Sequence, residues 1–270
     1  MSEKVAFIGG GNMASALITG LIKQGMPASQ IEVVEPFSEA QDKLKSQLGI
    51  TAQPRPGPFL ETAALVVWAL KPQTFKEAAL QIRYHTRNAL HLSVAAGIRS
   101  VSIARWLGTE RLVRAMPNTP ALIRKGIAGL YARAEVSAAD KRTVEKLVGA
   151  IGECIWLAQE ELLDAVTALS GSGPAYVFYF MEAMTAAGSD MGLTREQAYK
   201  LAVATFIGSG ELARSANEPP EILRQRVTSK GGTTHAAISS MEQSGVKLAF
   251  VRALHEARRR ARELGDEFGA

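Results

Sequence analysis

Near the start of the chain the apolar run Val5-Ala6-Phe7-Ile8 passes straight into Gly9-Gly10-Gly11-Asn12-Met13-Ala14, after which Leu17, Leu21 and Ile22 give a helix an apolar face. Gly-x-Gly-x-x-Ala between a strand and a helix suits one kind of chemistry. Gly9 allows a tight turn, Gly11 lets the backbone approach a pyrophosphate, and the small Ala14 lets helix and strand pack closely. The helix that opens here aims free N–H groups and the positive end of its dipole at phosphates. Ile8, Gly9, Gly10, Gly11, Asn12, Met13 and Ala14 are therefore assigned to a dinucleotide cofactor. A bare structural turn is the plainer alternative. Glu35 ends the second strand, about twenty residues on, where an acid accepts hydrogen bonds from an adenosine ribose and repels a 2′-phosphate. An exposed helix-capping acid is its plainer reading.

Three further loops fall at strand ends, which line the ligand crevice of such sheets. Ala69-Leu70-Lys71-Pro72-Gln73 follows one strand, with Pro72 ending it and opening a helix. Ser93-Val94-Ala95-Ala96-Gly97 ends the next, and the small Ala95, Ala96 and Gly97 let a flat ring approach the backbone. Met116-Pro117-Asn118-Thr119-Pro120 is a rigid loop whose Asn118 amide can hold cofactor or substrate. Later in the chain, Ala168 to Tyr176 reads as a small-residue loop opening a helix. Val227 to Thr234 is a second such loop, and Gly231-Gly232-Thr233-Thr234 at a helix start makes an anion seat of N–H groups and hydroxyls. From those residues alone a plain capped turn is the favoured reading.

The elements that must hold these loops alternate. Strands are expected at Ile31–Glu35, Leu65–Leu70, Ala89–Val94, Ile127–Ala132 and Cys154–Leu157, with an extended Arg111–Met116. Helices are expected at Ser38–Leu48 (capped by Ser38), Gln73–Thr86, Ser100–Leu107 and Ser137–Gly149 (capped by Ser137). Such alternation implies an α/β, mostly parallel, Rossmann-type doubly wound sheet. Beyond Leu157 the pattern turns helical, over Pro174–Gly188, Thr194–Ala216, Glu221–Val227 and Val246–Leu264. The expected division is a dinucleotide-binding domain over 1–158 and an all-helical domain for dimerisation and substrate binding over 159–270. The apolar stretches Tyr176–Met184 and Leu201–Ile207 are candidates for a dimer interface.

Composition sets the class. The chain has 270 residues, 47% hydrophobic and 21% charged, as in soluble globular proteins. The net charge of +5 is modest, and the Arg258–Arg262 run reads as a solvated helix face rather than a nucleic-acid contact. The single cysteine, Cys154, excludes an internal disulfide and reads as a small buried hydrophobe. No run is long enough to span a bilayer, and the first strand follows the N-terminus too closely for a signal peptide. A cytoplasmic protein without metal, membrane or nucleic-acid partner is expected.

Taken in order, Gly-x-Gly-Asn-Met, Ala-x-Lys-Pro-Gln, Ser-x-Ala-Ala-Gly, Met-Pro-Asn-Thr-Pro, Ser-Gly-Ser-Gly-Pro-Ala-Tyr and Gly-Gly-Thr-Thr make a combination that resembles pyrroline-5-carboxylate reductase over essentially the whole chain. The resemblance implies hydride transfer from NADPH or NADH to a cyclic imine acid, giving L-proline. It places the substrate carboxylate on Gly232, Thr233 and Thr234, borders the pocket with Ser229, and sets the Thr234 hydroxyl near the ring nitrogen as the catalytic group. It also implies a homodimer or an assembly of dimers, each site joining the nucleotide domain of one chain to the Gly-Gly-Thr-Thr turn of the other. Lys230 and His235 depart from the family's usual Pro and Ile. Glu35 stands where NADPH-preferring members carry small or basic residues, so NADH is expected to serve at least as well. A hydroxyacid reductase of the same architecture, which would need a Lys on the first long helix, finds none in Pro174–Met184. A non-catalytic nucleotide sensor is the other alternative.

Overall fold

The structure, a computed structural model, describes residues 4–269. In chain order it runs β1 (Lys4–Ile8), α1 (Asn12–Lys23), β2 (Ile31–Val34), α2 (Ser38–Leu48), β3 (Ala63–Trp68), α3 (Pro72–Ile82), β4 (Leu90–Ser93), α4 (Ser100–Leu107), β5 (Leu112–Met116), β6 (Gly126–Ala132), α5 (Ala138–Val148) and β7 (Gly152–Trp156). There follow α6 (Leu162–Val166), a π-helical turn (Thr167–Gly171), α7 (Gly173–Asp190), α8 (Arg195–Ser215), α9 (Pro220–Arg226), α10 (Thr233–Gln243) and α11 (Val246–Phe268).

The seven strands lie in the order β2-β1-β3-β4-β5-β6-β7. Every neighbouring pair is parallel except β5 with β6. Alternate residues of the inner strands point to opposite faces and are buried on both, which is why β1 and β3 read as unbroken apolar runs. On one face Val5, Phe7, Val33, Leu65 and Val67 meet Leu17, Leu21, Leu44 and Val144 of the helices. On the other, Ala6, Ile8, Val66 and Trp68 meet Phe75, Ile82 and Ile103. Because β1 to β5 run the same way, the turns after them all emerge on one edge.

Contacts divide the chain into Met1–Ser172 with Ala257–Ala270, and Gly173–Glu256. The first unit thus runs past the boundary expected after residue 158 and takes back the end of α11. Packing explains the extension: Val166 lies against Gly129 of β6, and Met116 lies against Gly171. The expected loop from Ala168 to Ser172 is instead helical, a wide turn in which Ser172 N–H donates to Thr167 O (2.8 Å). Thr167 and Ser170 donate their hydroxyls to carbonyls four residues back, which lets small polar residues stay in a helix. Ser38 is not the N-cap expected of it; Phe37 takes that place without a side-chain bond. Ser137 is a cap, in a reciprocal box with Asp140, and Thr194 makes another with Gln197.

The second unit is helical throughout. Of its long helix α7 only Thr185 and Gly188 are buried, while Val177, Phe178, Tyr179, Leu201, Ile207 and Leu212 are exposed. Among the described residues no helix is long and apolar enough to cross a membrane.

Candidate active site

The glycine-rich turn is built by close approach. Gly9 has φ +97°, and a Cβ there would lie 2.6 Å from Ala69 O, so only glycine brings β1 this near the Ala69–Gln73 loop. Ala69 N–H donates to Ile8 O (2.9 Å) and Gly9 N–H to Val34 O (2.8 Å), which stitches the strand ends together. Gly11 caps α1 with no side-chain bond, leaving the first N–H groups of the helix without an intrahelical acceptor. A Cβ on Gly11 would meet nothing within 4 Å. This exposed, uncapped, positively polarised helix start fits the diphosphate of a dinucleotide. A groove of about 510 Å³ opens beside it, lined by Gly10, Gly11, Asn12, Ser15, Thr19, Phe37 and Lys43 among others.

Glu35 does a different job from the one expected. It is 6% exposed and its two oxygens face backbone. Oε2 accepts from Gly10 N–H at 2.7 Å and Oε1 from Phe37 N–H at 2.9 Å. The carboxylate braces the phosphate turn from beneath and is no exposed cap. Each oxygen keeps a second lone pair, so the ribose contact and the ranking of NADH first rest on the sequence pattern alone.

Asn118 is likewise engaged. Its Nδ2 donates to Ser170 O (3.1 Å) and its Oδ1 accepts from Ile127 N–H (3.0 Å), so the amide ties the β5 exit to the π-helical turn. Lys71 is exposed and caps α3, with Pro72 at the first helical position. Ala96 is exposed, Ala95 buried, and Gly97 takes φ +69°. The first unit thus brings Gly9 to Ala14, Ala69 to Gln73, and Ala95 to Gly97 to one edge of its sheet.

In the second unit, Gly231 (φ +76°) and Gly232 lead into α10, whose start carries no side-chain cap. A Cβ on Gly232 would come within 2.7 Å of Ser229 Oγ, so the Ser229 hydroxyl lies close against this turn, whose left-handed position is Gly231. The hydroxyls of Ser229, Thr233 and Thr234 have no hydrogen-bond partner among the described residues. Free hydroxyls, free N–H groups and the exposed Lys230 together suit a carboxylate. Ser229, Gly232, Thr233 and Thr234 thus fall together at one helix start, as expected.

A crevice-edge phosphate turn and an acid seat, on a doubly wound sheet followed by helices, define a dinucleotide-dependent oxidoreductase. Residues 160–264 match the family described as pyrroline-5-carboxylate reductase dimerisation, and residues 4–97 match that described as NADP oxidoreductase, coenzyme F420-dependent. The chain belongs to the pyrroline-5-carboxylate reductase family. It is 44% identical to the pyrroline-5-carboxylate reductase of Pseudomonas aeruginosa, with 99% of each chain covered. The solved reductase of Coxiella burnetii superposes with a TM-score of 0.91 at 36% identity, covering 98% of this chain and 99% of that one. The Plasmodium falciparum enzyme, solved with NADP bound, superposes at 0.86 and 26% identity, covering 98% of both.

Proposed function

We propose that this protein reduces 1-pyrroline-5-carboxylate to L-proline with NADPH or NADH, the last step of proline biosynthesis. The observation that carries this reading is the kinship at 44% identity over 99% of both chains. When bound, the reduced nicotinamide supplies a hydride to the carbon of the C=N bond. The chain's own work is binding, orientation and exclusion of water. The uncapped start of α1 holds the diphosphate, with Glu35 fixing Gly10 from below. Ala69–Gln73 and Ala95–Gly97 line the remaining cofactor path, with small side chains where a flat ring must lie close. Asn118 serves by bracing the exit of β5.

Gly232, Thr233 and Thr234 seat the substrate carboxylate, Ser229 borders the pocket, and the Thr234 hydroxyl faces the ring nitrogen. A protonated imine is already electrophilic, so no strong general acid is needed. The enzyme acts as a homodimer, open to further assembly, in which the exposed apolar faces of α7 and α8 are covered. A cytoplasmic setting belongs to the same reading, and the single cysteine is in keeping with it. The acid seat is tested with 1-pyrroline, which lacks the carboxylate. Its kcat/KM should fall by about a hundredfold or more against the acid; equal values would remove the carboxylate from the account.

A further inference from the structure

The connection from β4 to α4, residues 94–99, carries Ala95-Ala96-Gly97 and has two anchors that its sequence does not announce. The first is electrostatic. Glu160 accepts from Ser100 N–H (2.5 Å) and Ser100 Oγ (2.6 Å) and pairs with Arg114 (2.6 Å), so it caps α4 where the loop ends. Arg133 donates to the same Ser100 Oγ (3.0 Å).

The second anchor comes from the far end of the chain. At Gly97, a Cβ would lie 3.0 Å from Leu264 Cβ, so the start of the Leu264 side chain packs closely on this loop. Ile98 is fully buried in a cluster against which Phe268 packs. The Arg99 guanidinium lies over Gly265, 3.4 Å from where a Cβ would stand, and pairs with Asp266 (3.4 Å). One turn into α4, Ser102 Oγ and Arg105 Nη2 donate to Gly269 O at 2.5 and 3.3 Å. Leu264, Gly265, Asp266, Phe268 and Gly269 therefore bear on the loop and on the first turn of the helix it enters.

We infer that the last two turns of α11 are a buttress that sets the height of the Ala95–Gly97 loop against the cofactor, with Leu264 as its principal positioning residue. This rests on the reading that the loop lines the cofactor path. Ala95 and Ile98 fasten the loop to the core at either side, while at Gly97, which has no side chain of its own, the Leu264 Cβ supplies the supporting surface. Removing that Cβ lets the loop settle away from the site, and the cofactor loses a preformed wall.

The test compares Leu264→Gly, Leu264→Ala and Ala96→Leu in the full chain. The readouts are the dissociation constants of NADPH and NADH, kcat, the KM of the imine acid and the thermal midpoint. Leu264→Gly should raise the cofactor dissociation constant about tenfold and lower kcat, with the acid's KM unchanged. Leu264→Ala, which keeps the Cβ that meets Gly97, should hold binding to within about twofold of wild type. Ala96→Leu places bulk directly on the exposed loop and should weaken cofactor binding by itself.

If Ala96→Leu weakens binding while Leu264→Gly leaves it within about twofold, the buttress is refuted and the loop assignment stands. If Ala96→Leu binds normally, the loop assignment fails and the buttress with it. A drop in thermal midpoint without a change in cofactor affinity reduces Leu264 to a structural residue and overturns the proposal.

Discussion

Replacing Glu35 by Gln keeps the size of the side chain and removes the charge that two backbone N–H groups share. An amide has one acceptor oxygen, so either Gly10 N–H or Phe37 N–H is left facing an NH₂. Hydrogen bonds to a buried charged group contribute about 1.5–3 kcal/mol. Glu35→Gln should therefore lower unfolding stability by about 1–3 kcal/mol and weaken NADPH and NADH alike, because it relaxes the turn and not a ribose contact. Urea titration and cofactor binding measure the two effects; a change in the NADPH to NADH ratio alone would return Glu35 to the ribose. Gly11→Val makes the converse case. Its φ of −70° suits any residue and a Cβ there meets nothing, so the chain should fold with wild-type stability while losing cofactor affinity by at least about a hundredfold. Normal affinity in the folded variant would remove the phosphate turn from the site. The sequence shows Gly9 as a glycine the turn needs and Gly11 as one the cofactor needs, because both demands are local. It shows Glu35 and Asn118 as polar groups for a ligand and hides their bracing roles, since the N–H and C=O groups they hold lie up to 52 residues away.

At the scale of elements, His91 on β4 gives the clearest pH signature. It is 1% exposed, accepts at Nδ1 from Trp68 Nε1–H (3.0 Å), and its Nε2–H donates to Thr86 O (3.2 Å). Burial holds it at about 4, well below its ordinary 6.5, with the Arg111 charge adding to the depression. Between those values the unfolded chain binds the proton that the folded chain refuses, so stability rises with pH across that window. The contribution is complete above about 6.5 and is lost as pH falls toward 4. Over that span it amounts to at most about 3 kcal/mol. His91→Gln, which keeps one donor and one acceptor, should show a shallower fall in urea stability between neutral and mildly acid pH; an unchanged slope would contradict this. Element identity was legible wherever a period or a cap declared it, as at Ser137 with Asp140 and Thr194 with Gln197. The π-helical turn at Thr167–Gly171 was hidden because Ser, Gly and Ala at that density read as loop, while the Thr167 and Ser170 hydroxyl bonds and the packing of Val166 on Gly129 and Met116 on Gly171 hold the segment helical.

At the scale of the molecule, the helical unit leaves Phe178, Tyr179, Leu201 and Ile207 exposed at between 56% and 68%. Exposed apolar side chains clustered on two helices suit an interface, and the family matched over residues 160–264 is the one described as pyrroline-5-carboxylate reductase dimerisation. Leu201→Glu should shift the protein from dimer to monomer in sedimentation velocity, and a dimer of undiminished stability would place the interface elsewhere. Such an interface is legible in sequence only as helices that are too apolar for their surface; which copy covers which face is a property of the assembly. In the Arg258–Arg262 run, Arg259 and Arg260 pair with Glu263 and Arg260 also with Glu267. The central claim is the reaction itself. Purified protein, pyrroline-5-carboxylate and either NADPH or NADH should show loss of reduced-nicotinamide absorbance matched mole for mole by L-proline. No rate above background with either cofactor, or nicotinamide oxidation without proline, would contradict the account.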